Sequence, residues 1–189
     1  LLADGVKVTT KDEHTGKDEK RTIRVIDWEH PEENDFFAVQ QFTIQGPLYK
    51  CIPDVLLFVN GLPLVVIELK KPGVPAKQAF DENLTSYKHP QNGVPQLFAF
   101  NALLIASNGT DSRVGSLTAD WERLFEWKRV EREDEPRRVS LEVLLRGTCE
   151  KHRLLDLIAN FTLFSEHKTG LAKIVGQNHH PAVGGKWHY

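Results

Sequence analysis

Residues 53–70 read PDVLLFVNGLPLVVIELK. Two apolar runs, 55–59 and 64–69, flank Asn60-Gly61. Both of these residues tolerate positive φ, so the dipeptide between two such runs predicts a β-hairpin. Three charges sit where buried strands carry none: Asp54 at the start, Glu68 and Lys70 at the end. Glu68 and Lys70 are two apart and share a strand face, with Leu69 on the other. Antiparallel pairing brings the Asp54 end back beside the Glu68 end. Parity then sets a condition. Asp54 faces Glu68 only if the loop is odd-numbered, for example Asn60-Gly61-Leu62 with a bulge; a two-residue turn places the two acids on opposite faces.

Directly opposed side chains have Cβ atoms about 5 Å apart, and two carboxylates at that spacing can share one hard cation. Mg²⁺ takes oxygen ligands in near-octahedral geometry and keeps several waters. Such an ion lowers the pKa of bound water and stabilises charge on a phosphodiester. Lys70 beside it can orient or deprotonate the attacking water and offset growing negative charge. The plainer alternative is a hairpin whose three charges form an ion-paired strand end in solvent. The run LVVIEL weighs against it, because a near-continuous apolar strand is covered on both sides and a Glu there is costly unless paired or metal-bound.

Asp54, Glu68 and Lys70 match the PD-(D/E)xK nuclease motif. The longer string PDVLLFVNGLPLVVIELKKPG resembles the nuclease domain of the R (restriction) subunit of type I restriction enzymes. The resemblance continues through IDWEHPEENDFFAVQQF, PQLFAFNALLIASNGT, GSLTADWERLFEWKRV and IANFTLFSE, most of the chain. It implies an α/β fold, a central mixed sheet flanked by helices with a restriction-endonuclease-like core. It also implies Mg²⁺-dependent hydrolysis of double-stranded DNA, with Asp54, Glu68 and the Leu69 carbonyl at the metal and Lys70 at the attacking water. ATP would be used only by a motor in the full-length subunit, and methylation (M) and specificity (S) subunits would be partners. A non-cleaving module that docks DNA or a partner is the competing function. In this nuclease group a Gln-x-x-x-Tyr pair often follows the catalytic strand. Tyr87 matches the Tyr, whereas Asn83 stands where Gln is expected and reaches one methylene less. Gln78 is a further polar candidate for DNA or site support. An acidic residue from an early helix is also usual in such nucleases; no such helix is legible here, and Asp27, Glu29 and Asp35 are weak substitutes.

The 189 residues, 40% hydrophobic, suffice for one well-buried domain. A formal charge of −2 gives no overall basic attraction to DNA. Cys51 and Cys149 lack metal-ligand spacing, and reduced, cytoplasmic thiols are expected. No apolar run approaches the roughly 20 residues of a membrane span, and no GxxxxGK[ST] phosphate loop occurs. The chain opens on Leu1-Leu2 and has no Met, as expected of a piece of something longer. Residues 1–165 are expected to form the nuclease domain, and 166–189 a partly ordered tail toward a missing motor.

Along the chain, strands are expected at 6–9 and 22–26 around a polar loop, 11–20, and at 36–44. Lys71-Pro72-Gly73 ends the acid-bearing strand. Residues 76–88 read as a helix with Ala76, Phe80, Asn83, Leu84 and Tyr87 on one face. Residues 103–107 form a strong strand, with Ser107, Asn108 and Thr110 at its mouth, read as a turn rather than a phosphate site. Helical spacing at 121–128 places Trp121, Leu124, Phe125 and Trp127 in the core, 129–138 is a solvated loop, and helices follow at 140–146, with Ser140 as N-cap, and at 149–160, with Thr148 as N-cap. His179-His180 in the tail does not present a tetrahedral metal set.

Overall fold

The computed structural model describes residues 4–167 and 170–175. Its centre is a five-stranded mixed sheet in the order β3-β6-β7-β8-β9. The strands are β3 (Phe36–Gln40), β6 (Val55–Val59), β7 (Leu62–Leu69), β8 (Leu103–Ser107) and β9 (Ser112–Gly115). All neighbours are antiparallel except β7 and β8, which run parallel. Smaller antiparallel pairs are β1 (Val6–Lys11) with β2 (Asp18–Ile23), β4 (Ile44–Gln45) with β5 (Lys50–Cys51), and β10 (Thr162–His167) with β11 (Gly170–Val175). The last hairpin crosses the expected division at 165/166, and 176–189 lie outside the described residues.

The parallel pair is the buried spine. Leu64 to Ile67 and Leu103 to Ser107 are all buried, as the apolar runs require when both faces are covered. One face packs Val65, Ile67, Leu103 and Ile105 under α2 (Ser140–Thr148) and α3 (Lys151–Asn160), with Trp127, Leu144, Leu154 and Leu155. The other packs Leu56, Val66, Leu104 and Ala106 under Phe80, Leu84 and Tyr87. Each fully buried aliphatic side chain stabilises by about 1.5–3 kcal/mol, so four in a row on β7 offset the cost of the acid that follows them.

The hairpin meets the parity condition by a route other than the expected one. Asn60 and Gly61 have φ of 48° and 80° and form a two-residue turn, Val59 pairing with Leu62. That turn alone would set Asp54 and Glu68 on opposite faces. Leu64 is an extra residue in β7: Phe58 pairs with Pro63 but Leu57 pairs with Val65. The bulge shifts the register by one, and the Val55–Ile67 pairing leads on to Asp54 beside Glu68.

Several other boundaries differ from expectation. β1 and β2 close a tighter loop, because the Asp12 carboxylate accepts the His14 and Thr15 N–H groups and turns the chain there. β3 stops at Gln40, since Gln41 has φ of 49° and leaves the sheet. The segment after Lys71 is not a plain α-helix: a π-helical turn, Ala79–Leu84, runs into α1 (Thr85–Tyr87). Trp121–Arg123 is only a 3-10 turn, because Phe125 bridges to Val114 across backbone hydrogen bonds of 3.0 Å in both directions. Leu124 and Trp127 are nonetheless buried as expected. The cap of α2 is Val139 without a side-chain bond, and α3 is capped by Glu150, whose carboxylate accepts the His152 and Arg153 N–H groups; Ser140 and Thr148 do neither job. β9 has no strong apolar run and was not expected.

Candidate active site

The acids meet at the end of the sheet farthest from the Asn60-Gly61 turn. The Asp54 N–H donates to Glu68 Oε1 at 3.2 Å, and the Leu69 N–H donates to Asp54 Oδ2 at 2.8 Å. Each carboxylate is thus held by the other strand's backbone, a reciprocal clasp that fixes both rotamers. Glu68 is 2% exposed. Burial, and then the neighbouring Asp54 charge, push its carboxyl up to about 7, while the Asp54 N–H, the Tyr87 hydroxyl and Lys70 pull the other way.

Lys70 follows on the same strand, its N–H fixed by the Ser107 carbonyl of β8 at 2.7 Å. Its ammonium donates to Asn83 Oδ1 at 2.9 Å and to Glu82 Oε2 at 3.1 Å. Asn83 Nδ2 donates to the Tyr87 hydroxyl at 3.4 Å, and that hydroxyl, which lies close enough to Glu68 to interact with it, donates to the Ile52 carbonyl at 3.5 Å. Burial holds the phenol above its ordinary range, so it stays protonated and donates. Asn83, short as it is, therefore bridges Lys70 to Tyr87 directly. The helix end that carries Tyr87 is tied down by Val94 N–H to the Tyr87 carbonyl at 2.8 Å, with Gly93 packed so closely on that carbonyl that a Cβ there would overlap it.

The structure brings together Asp54, Glu68, Leu69, Lys70, Asn83 and Tyr87. It leaves Gln78 on the exposed side of the helix start, outside this hydrogen-bonded cluster. Asp27 and Asp35 lie at the opposite end of the hairpin: Asp27 pairs through its backbone with Asn34, and Asn34 and Asp35 bond Asn60. Glu29 is beside them, 3.8 Å from Arg24. Ser107 is spent on Ser112 and Gly109, and Asn108 on Thr110, Asp111 and Val74, so these residues build the turn. Glu82 was missed, because α-helical spacing puts it off the buried stripe; no residue type marks a π turn in advance.

Among the described residues no cluster of three or more His, Cys, Asp or Glu is placed to hold a metal. Mg²⁺ needs only one or two protein carboxylates, its remaining positions going to water and other oxygens. Two adjacent carboxylates, one shifted toward neutrality by its burial and then by the other's charge, form a site that a divalent cation would relieve. The donor set fits a hard oxygen-loving ion and does not fit one preferring sulfur or imidazole.

The sequence profile of the type I restriction enzyme R protein N terminus matches residues 1–123. The chain belongs to this family. The type I restriction enzyme HindI endonuclease subunit of Haemophilus influenzae is 39% identical over 180 residues, covering 90% of this chain and 16% of that protein. The type I restriction enzyme EcoprrI endonuclease subunit of Escherichia coli is 30% identical over 154 residues, covering 79% of this chain and 48% of that protein. The R-protein N-terminal region described here thus spans under half the length of either relative. Its mixed five-stranded sheet with helices is an α/β fold consistent with a restriction-endonuclease-like N-terminal domain. Among the described residues no helix is long and apolar enough to cross a membrane.

Proposed function

We propose that this R-protein N-terminal domain is the Mg²⁺-dependent endonuclease of a type I restriction enzyme, a type I site-specific deoxyribonuclease that hydrolyses phosphodiesters of double-stranded DNA. The observation that carries the reading is the clasp of Asp54 and Glu68 beside Lys70, on a strand otherwise buried on both faces. Asp54 and Glu68 would hold the ion of a PD-(D/E)xK centre. An extended residue directs its N–H and C=O toward the same strand edge, so the Leu69 carbonyl follows its N–H toward Asp54 and suits a third oxygen. When bound, Mg²⁺ supplies a Lewis acid and a more acidic water.

The chain's own residues do the rest. Lys70, kept off the acid pair by Asn83 and Glu82, presents an ammonium that orients the attacking water and offsets charge gathering on the phosphoryl oxygens. Tyr87, held by Asn83 and the Ile52 carbonyl, sets a polar hydroxyl beside Glu68 that favours the charged carboxylate. Sequence recognition and methylation would come from S and M subunits, and ATP-driven movement from a motor in the full-length subunit. Cys51 and Cys149 are free, which suits a reducing cytoplasm.

The test places Asp54→Ala, Glu68→Ala and Lys70→Ala singly in the intact enzyme. Each is expected to lower DNA cleavage by at least about 10²-fold while ATP hydrolysis and translocation continue. Normal cleavage by any one removes that residue from the catalytic set. Normal cleavage by all three leaves the docking-module reading.

A further inference from the structure

We propose that Glu82 is a positioning residue for Lys70, so that the amine is set by two consecutive side chains of the π-helical turn rather than by Asn83 alone. The inference rests on the nuclease reading above. Lys70 Nζ lies 3.1 Å from Glu82 Oε2 and 2.9 Å from Asn83 Oδ1. In an α-helix, consecutive side chains diverge by about 100° and do not converge on one atom. The turn Ala79–Leu84 is wider: the Thr85 N–H bonds the Phe80 carbonyl five residues back, and the Thr85 hydroxyl bonds the same carbonyl at 3.0 Å. That widening narrows the angle between residues 82 and 83 and lets both reach the ammonium.

The pair is poorly suited to a purely stabilising role. Glu82's side chain is 59% exposed, and exposed ion pairs contribute little to stability. The Lys70 side chain is only 23% exposed, and both Glu82 and Asn83 lie against its ammonium. A carboxylate here also repels an approaching phosphate. It is tolerable beside a DNA-cleaving centre only while it is paired with Lys70. The arrangement predicts that Glu82 acts on turnover and not on substrate binding: it fixes where the Lys70 charge sits, and it adds nothing attractive to DNA.

Glu82→Ala, Glu82→Gln and Lys70→Ala are compared in the intact restriction enzyme, with plasmid DNA and Mg²⁺, reading cleavage kcat and KM beside translocation. Glu82→Ala is expected to lower kcat by roughly 10- to 100-fold, the scale of a mispositioned catalytic group, with KM unchanged or lower and translocation intact. Glu82→Gln keeps an acceptor for the ammonium and is expected to recover part of the loss. The proposal is overturned if both Glu82 variants cleave within about twofold of the parent while Lys70→Ala is inactive. It is also overturned if cleavage and translocation fall together in both variants, since that is loss of fold. If Lys70→Ala itself cleaves normally, the nuclease reading fails first and the role of Glu82 falls with it.

Discussion

Asp54 and Glu68 hold each other through the main chain. The N–H of Asp54 reaches Glu68 Oε1, and the N–H of the residue after Glu68 reaches Asp54 Oδ2. Neither acid can turn away without breaking a bond to the opposite strand, so the pair is preorganised for a ligand that neutralises both.

Without such a ligand the pair burdens the fold in a pH-dependent way. The Glu68 carboxyl has an ordinary value of 4.5 and is held at about 7 when folded, mainly by burial. The folded state therefore binds the proton more tightly than the unfolded chain. Its stabilising effect is fully present below about 4.5 and is lost as pH rises to about 7, by roughly 3 kcal/mol at most. In metal-free buffer, thermal unfolding should show stability falling across that window. Glu68→Gln should flatten the profile and be the more stable chain at pH 8.

Adding Mg²⁺ at pH 8 should reverse the loss, because an ion bound only by the folded chain raises its stability by mass action. Differential scanning fluorimetry with and without EDTA should show a rise in Tm for the parent. Asp54→Asn and Glu68→Gln should each remove most of it. An equal rise in all three chains would place the ion elsewhere.

Asn60 works at the far end of the same hairpin. Its Nδ2 donates to the Val25 carbonyl and to Asn34 Oδ1, and its Oδ1 accepts the Asp35 N–H, each at 2.7 Å. It also holds a φ of 48°, which Asn tolerates and Ala does not. Three bonds at about 1 kcal/mol each plus backbone strain predict that Asn60→Ala loses about 3–4 kcal/mol. Urea unfolding should show this as a lower midpoint with an unchanged slope.

Gly93 should be intolerant for a different reason. A Cβ at this position would meet the carbonyls of Tyr87, Ser86 and His89, which are backbone and cannot swing aside. Gly93→Ala should displace the helix end carrying Tyr87. The expected readout is reduced cleavage with a modest loss of stability, by contrast with Gly109→Ala, where a Cβ would meet nothing and only the positive φ resists.

The hairpin, the two largely buried strands at 64–69 and 103–107 and the acid pair were legible because Asn-Gly, apolar runs and misplaced charges are residue-type signals, whereas the parallel pairing of those two strands was not foreseen. The parity rule was legible too, but its solution was not: the extra residue is Leu64, apolar like its neighbours, and a bulge leaves no mark in composition. Asn83 and Tyr87 could be placed on one face because their spacing of four serves an α-helix and this helix alike. Glu82 could not, since the π turn depends on backbone bonding at Phe80 and Thr85. At residues 121–128 helical spacing was satisfied by chance, and a bridge between Phe125 and Val114 overrode it. Sequence-local patterns gave no warning, because that bond joins residues eleven positions apart.

The bulge at Leu64 also governs which length changes this ribbon can survive. Insertions or deletions between Asp54 and Glu68 that come in pairs can be absorbed as a longer or shorter ladder, with the carboxylates still neighbours. A single-residue change must be matched by gain or loss of the bulge or by a change of one in the turn's length, or the ribbon presents one acid to each side of the sheet. Divergence within the paired strands should therefore proceed in steps of two, with the odd step open only to chains that also trade away the kink or reshape the turn.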